Sequence, residues 1–377
     1  MIVIADFFST LFGYVLPFLV VISLIVFVHE MGHYLVGRWS GIKILAFSFG
    51  FGPELAGFTD KHGTRWKISA IPLGGYVRFY GDADAASSPD FEGVNALPES
   101  ERNKTFLGAA LWKRAATVAA GPIANFILAI AILAGIFMAY GKYVADPVVS
   151  EVKPQSAAAE AGVKTGDILL KMDGETVETF DDVRRYVSVR PGLPISLVVK
   201  RNDQELPLSI TPKLTEITDT FGNKMEIGVI GVLTTRDSGN MRTVTYSPVG
   251  AVREGVRETW NIVTGTYDYL LNLVTGRMSA DQLGGPIRVA QTSGQVATLG
   301  VVALLHLAAV LSVSIGLLNL MPVPVLDGGH LLFYAIEALR GKPLGDVAQG
   351  VAFRIGMALV LSLMVFATWN DITSLIG

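Results

Sequence analysis

The sequence has no cysteine in 377 residues. That excludes disulfides, thiolate metal sites and a cysteine nucleophile, and leaves histidine and carboxylate as the only ligands for any zinc. Charge is scarce too. Charged residues make up 17% of the chain against 51% hydrophobic ones, which excludes an ordinary soluble enzyme and fits several membrane spans. The net charge of −3 gives no reason to expect nucleic acid as a partner. No Lys or Arg precedes Arg38. The basic start of a cleaved signal peptide is therefore missing, and the first apolar run reads as a retained span.

Four apolar runs are long enough to cross a bilayer: about Tyr14 to Gly37, Ala115 to Tyr140, Val301 to Met321, and Val351 to Trp369. Ten basic residues, from Arg38 to Arg114, lie between the first two, and Arg340 and Lys342 lie between the last two. The positive-inside rule puts both short loops in the cytoplasm, with both chain ends and the long region after Gly141 outside.

The first run ends in His29-Glu30-Met31-Gly32-His33. Four helical residues advance about 400°, so both imidazoles lie on one face and can reach one Zn²⁺. Glu30 is offset by about 100°, beside the metal, where it can take a proton from water. A soluble metzincin would continue with Gly and His where this chain has Val36 and Trp39.

A catalytic zinc needs a third protein ligand. His306, Asp327, His330 and Glu337 are the candidates in or beside the later apolar segments. Asp327 is the choice, with His330 next. Pro322 and Pro324 break the third helix just before it, and Gly328 and Gly329 follow it. Irregular backbone at membrane depth is tolerated where it lines a site.

Ile44 to Phe49, Thr64 to Ile71 and Gly75 to Tyr80 read as short strands in the first cytoplasmic loop, either a plain hairpin or an edge offered to an extended peptide. Asp82 to Glu101 reads as a loop. Asn125, inside the second span, reads as a packing residue. Residues from about Val144 to Leu214 read as a soluble domain of short strands with a helix at Phe180 to Val187, and Glu226 to Thr234 as a further strand pair. Ser247 to Met278 reads as an amphipathic helix.

The His29–His33 motif, the run Asn319 to His330, Gly74-Gly75-Tyr76-Val77-Arg78-Phe79-Tyr80-Gly81-Asp82, and Ala120 to Phe126 together resemble the site-2 protease family of intramembrane zinc metalloproteases. The likeness covers nearly the whole chain and is nearest to the bacterial regulator-of-sigma-E protease branch. Pro147 to Gly174 resembles a PDZ domain, and there is room for one such domain where the best-known members carry two.

The resemblance implies zinc on His29, His33 and Asp327, catalysis by Glu30, substrate contact by Asn319, and a strand edge at Gly74, Gly75, Tyr76, Val77, Arg78 and Phe79. It implies substrates that are single-span membrane proteins of the anti-sigma-factor type, already shortened by an upstream site-1-type protease, in the bacterial inner membrane. The expected fold is a polytopic α-helical membrane protein with four spans, a small cytoplasmic β-sheet and a periplasmic PDZ-like α+β domain. The expected division is residues 1–142, the first two spans and the β-loop; 143–235, the PDZ-like domain; 236–300, the amphipathic helix and connector; and 301–377, the last two spans. A metal-binding or transport protein that does not need Glu30, and a scaffold built on the PDZ-like module, are the competing classes.

Overall fold

The computed structural model describes residues 11–82, 93–94, 96–218, 224–234, 240–280 and 284–376. Most of the loop expected at Asp82 to Glu101 lies outside them. The chain divides into two compact units, Met1–Ile132 with Gly284–Gly377, and Leu133–Leu283.

In the first unit, long apolar runs form long helices, one of them with Gly121 and Pro122 inside it. Helix α1 covers Leu16–Trp39, and α2 covers Leu111–Tyr140 and continues past the unit boundary. Among the described residues, four helical stretches are long and apolar enough to cross a membrane: Phe12–Trp39, Leu111–Tyr140, Val301–Asn319 and Val347–Ser374. Small residues let α1 and α2 close on each other. A Cβ built at Gly32 would collide with the Ala120 carbonyl and the Ala124 methyl, the packing expected where bilayer helices gain little from hydrophobicity and rely on close contact.

Between α1 and α2, strands β1 (Ile44–Thr59) and β2 (Arg65–Phe79) form one sheet. Its register makes it richer than a hairpin. Ala46 to Phe49 lies opposite Arg78 to Gly75 and also opposite Arg65 to Ile68, while Glu54 to Thr59 lies opposite Ser69 to Arg65. Ala46 to Phe49 is thus interior, and Gly75 to Phe79 forms an edge paired on one side among the described residues. Tyr34, Ile44, Phe47, Val77 and Phe79 make a buried apolar cluster that seats the sheet on α1. Asp60 fixes the turn. Burial opposes its ionisation, but hydrogen bonds from Trp66, the Thr64 and His62 amides and Tyr34 outweigh that and hold its carboxyl at about 2.

The second unit holds strands β3 (Lys142–Ala145), β4 (Glu151–Val152), β5 (Ile168–Met172) and β6 (Glu175–Thr176), then helix α3 (Phe180–Ser188). Strands β7 (Ile195–Arg201), β8 (Gln204–Ile210), β9 (Lys213–Thr218), β10 (Lys224–Val229), β11 (Val232–Leu233) and β12 (Met241–Val244) follow. The main sheet has the order β6-β5-β7-β8. Ile195, Leu197 and Val199, alternating along β7, and Leu169 and Met172 of β5, brought to one face by a bulge between them, pack against Val183 and Val187 of α3. Thr179 and Asp182 form a capping box at the start of α3.

The strand pair expected at Glu226 to Thr234 is corrected. Its two strands do not pair with each other: β10 pairs with β9, and β11 pairs with β4. The alternation that marks a strand does not identify its neighbour. The first strands of this unit are short, with only Glu151 and Val152 in β4 and an isolated bridge from Val148 to Ile168.

Helix α4 (Pro248–Val274) puts Glu254 and Glu258 on Lys142, each at 2.9 Å, and Glu258 on Arg185 at 2.8 Å. Burial opposes ionisation of Glu258, but Arg185 and Lys142 outweigh it and hold its carboxyl below its ordinary value. Asp167 behaves likewise. Burial works against its charge, and the Arg201 fork, with both contacts at 2.7 Å, more than compensates.

A carboxyl depressed in the fold contributes stability above its unfolded pKa and loses it as pH falls through the folded value. Hydrogen exchange on the full chain, corrected for intrinsic rates, should therefore show protection across Ile168–Met172 falling as pH drops below about 4. In Asp167→Asn that protection should start lower and vary less with pH.

The first unit resumes with α5 (Pro286–Ala297), α6 (Val301–Asn319), α7 (Asp327–Arg340) and α8 (Asp346–Ile376). Asp371, 1% exposed, accepts hydrogen bonds from the amides of Gly285 at 2.8 Å and of Ile287 and Arg288 at 3.0 Å. A carboxylate distant in sequence thus satisfies the otherwise unbonded start of α5. Gly294 of the same helix packs against Gly13 and Tyr14.

Candidate metal centre

Helix α1 carries His29 and His33 one turn apart, and the fold adds Asp327 at the first position of α7. The two Nε2 atoms are 3.2 Å apart. Asp327 Oδ2 is 3.2 Å from His29 Nε2, and Asp327 Oδ1 is 3.5 Å from His33 Nε2. Ligand bonds of 2.0–2.1 Å at a tetrahedral angle would separate two donors by about 3.3 Å. The three donors therefore fit one zinc, and all lie within 4.8 Å of one another. Asp327 Oδ2 is buried without a well-aligned hydrogen bond, as an oxygen reserved for a cation would be.

Helix α2 fixes the rings. His33 Nδ1–H donates to the Thr117 carbonyl at 2.9 Å, which leaves Nε2 unprotonated and facing the cluster. His29 Nδ1 lies 3.2 Å from Asn125 Nδ2, while Asn125 Oδ1 is buried without a partner, so turning the amide over exchanges the two. With His29 Nε2 committed to a metal, Nδ1 carries the proton and the amide oxygen must face it as acceptor. Asn125 is fully buried, and its backbone carbonyl accepts from Ser312 at 2.8 Å. Such partners set ring orientation and raise the basicity of the donor. Thr117, Gly121 and Asn125 share one face of α2. A Cβ at Gly121 would overlap His33 Nε2 and His29 Cε1, so only glycine lets this helix approach the pair.

The Asp327 turn is built from close contacts. A Cβ at Gly328 would strike the Leu320 and Met321 carbonyls, and one at Gly329 would strike the Val323 carbonyl. Two glycines are required for the chain to fold over the break made by Pro322 and Pro324.

Glu30 adjoins all three cluster residues, and its carboxylate is hydrogen-bonded by the Val77 backbone N–H. The open edge of β2 therefore faces Glu30. Gly75 abuts it, with a built Cβ 3.4 Å from Glu30 Cγ. Gly74 precedes Gly75 in β2, and Tyr76, Arg78 and Phe79 follow along the same edge segment. Asn319 is the last residue of α6, half-buried, on the approach to the Asp327 turn.

The other third-ligand candidates stand outside the cluster. His330 packs edge-on against Phe333 and Phe353. Glu337 is paired with Arg114. His306 sits near the opposite end of α6 from Asp327. Sequence reasoning missed the roles of Thr117, Gly121 and Asn125. The available signal was an amide in an uncharged span, which is costly there without a partner.

The family model for peptidase family M50 matches residues 17–363. A protein of Agrobacterium fabrum named for zinc metalloprotease activity is 68% identical over 97% of each chain. One of the same designation from Rhizobium meliloti is 65% identical over 97% of this chain and 98% of its own. The metalloprotease MmpA of Caulobacter vibrioides is 40% identical over 94% of each chain. A solved PDZ domain of an SdrC-like protein from Listeria monocytogenes is similar over 24% of this chain and 87% of its own, at 21% identity and a TM-score of 0.20, too low to argue from. With the M50 model spanning its length and relatives this close, the chain belongs to peptidase family M50, the site-2 proteases, and is a zinc metalloprotease.

Proposed function

We propose that the chain hydrolyses peptide bonds within the membrane-spanning segment of single-span membrane proteins. His29, His33 and Asp327 hold the zinc, and Glu30 is the general base. When bound, zinc supplies Lewis acidity toward the scissile carbonyl and toward water. Glu30 takes the proton from the attacking water and hands it to the leaving amine.

A helical substrate hides its carbonyls in its own hydrogen bonds and must unwind to be cut. The edge at Gly74, Gly75, Tyr76, Val77, Arg78 and Phe79 replaces those bonds by strand addition. Asn319 contacts the substrate backbone near the Asp327 turn. The observation that carries this reading is the meeting, at one place, of the three-donor cluster, Glu30 and a strand edge that pairs with a strand on one side among the described residues.

The substrate class is the anti-sigma-factor type, trimmed beforehand by an upstream protease. The protein lies in the bacterial inner membrane, with its termini and PDZ-like region on the periplasmic side and the β-sheet on the cytoplasmic side. The scarcity of charge in the four spans and the basic loops between them support this orientation.

The test uses full-length protein in nanodiscs and a doubly tagged single-span substrate, with and without its outer domain. Product masses should place the cut inside the apolar segment, only for the trimmed form, and chelation should stop it until zinc is restored. A cut outside the apolar segment sinks the proposal. Equal cutting of the untrimmed form removes the upstream protease from it.

A further inference from the structure

Beyond the cluster, the first unit contains a sheltered ion pair with no part in the chemistry above. Arg114 Nη2 is 2.6 Å from Glu337 Oε1, and Nη1 is 3.2 Å from Oε2. Their side chains are only 12% and 15% exposed. Arg114 Nε also donates to the Ala109 carbonyl at 3.2 Å, and its guanidinium lies 5.1 Å from the Tyr334 ring centroid. Tyr334 and Glu337 are three residues apart, on one face of α7.

Such a pair contributes little to net stability, because desolvation offsets the attraction. A two-pronged guanidinium–carboxylate contact instead fixes distance and angle together. Its location gives that a use. Arg114, Thr117, Gly121 and Asn125 follow one another on α2 at spacings of three, four and four, along one face. Thr117 and Asn125 bond His33 and His29. Arg114, on the same face, grips the helix that begins with Asp327.

We infer that the Arg114–Glu337 pair is a positioning device, tying the Asp327 helix to the helix that orients both histidines. Ten residues separate Asp327 from Glu337, about 15 Å of helix. A tilt of about 4° about the Glu337 end moves the Asp327 end by about 1 Å, well beyond the 0.2 Å or so that coordination tolerates. The inference rests on the assignment of His29, His33 and Asp327 as ligands.

The test is zinc retention by full-length protein in nanodiscs against a graded chelator, with kcat and KM for a trimmed single-span substrate. Arg114→Ala and Glu337→Ala should each weaken zinc binding about 10- to 100-fold. They should shrink the rise in Tm on adding zinc, and lower kcat with KM unchanged. Arg114→Lys, with charge but no fork, should fall between. The double variant should be no worse than either single one, because each residue acts through the other.

Multiplying losses in the double variant overturn the inference, as does wild-type zinc retention in Arg114→Ala. So does an equal loss of Tm with and without zinc, which would mark a purely structural pair. Asp327→Ala separates the two levels. If it loses zinc while Arg114→Ala keeps it, the ligand set stands and the positioning role falls. If Asp327→Ala keeps zinc, the ligand set itself falls.

Discussion

Replacing Glu30 by glutamine is expected to leave zinc bound at the wild-type ratio and to lower cleavage about 10²- to 10⁴-fold, the contribution of a positioned acid–base group. The substitution keeps size and one acceptor oxygen, and removes the negative charge and with it the ability to take up a proton. The Glu30 carboxylate adjoins His29, His33 and Asp327 without belonging to the three-donor set, and takes a hydrogen bond from Val77 N–H at the sheet edge. A substrate strand laid on that edge would bring its scissile bond between Glu30 and the cluster. The measurement pairs zinc content of the purified variant with single-turnover cleavage. Full zinc with wild-type cleavage would remove Glu30 from the mechanism. Loss of zinc would make it a ligand or a structural support instead.

Gly121→Ala should be nearly as damaging, by a different route. The added methyl falls on His33 Nε2, one of the three donor atoms, and on His29 Cε1, next to the His29 Nε2 donor. Relief by moving α2 would drag Thr117 and Asn125 away from the rings they orient. The expected result is zinc affinity lowered by at least about 100-fold and cleavage lowered with it, while the second unit keeps its hydrogen-exchange protection. Alanine at Gly135, where a Cβ meets nothing within 4 Å, is the control and should behave as wild type. Unchanged zinc retention in Gly121→Ala would mean that the helices have room the structure denies them.

Much of the site was legible because its signals are local or chemically costly. His29 and His33 share a face by helical arithmetic alone. Asp327 stood out because two prolines and two glycines around one carboxylate make no sense in a plain span. The four spans and the strands of the first loop followed from apolar runs and alternation. Strand partners did not follow: β10 and β11 look like a hairpin in sequence, yet each pairs with a strand elsewhere. Asn125 was read as packing because nothing in its neighbourhood names a histidine 96 residues earlier. Asp371 gave no warning either, since a carboxylate near the end of an apolar helix looks the same whether it faces water or caps a distant helix. Contacts between remote segments are decided by three-dimensional packing, and periodicity carries no record of them.

The Asp371 clasp has a consequence for how the enzyme comes into being. Gly285, Ile287 and Arg288 wait for an acceptor that is translated well after them, and the helix they begin rests on Gly13 and Tyr14, translated well before it. The first unit is thus closed on itself by segments far apart in translation order. A nascent chain threading into the bilayer has His29 and His33 long before it has Asp327, so the three-donor cluster cannot close until the α7 segment has been made.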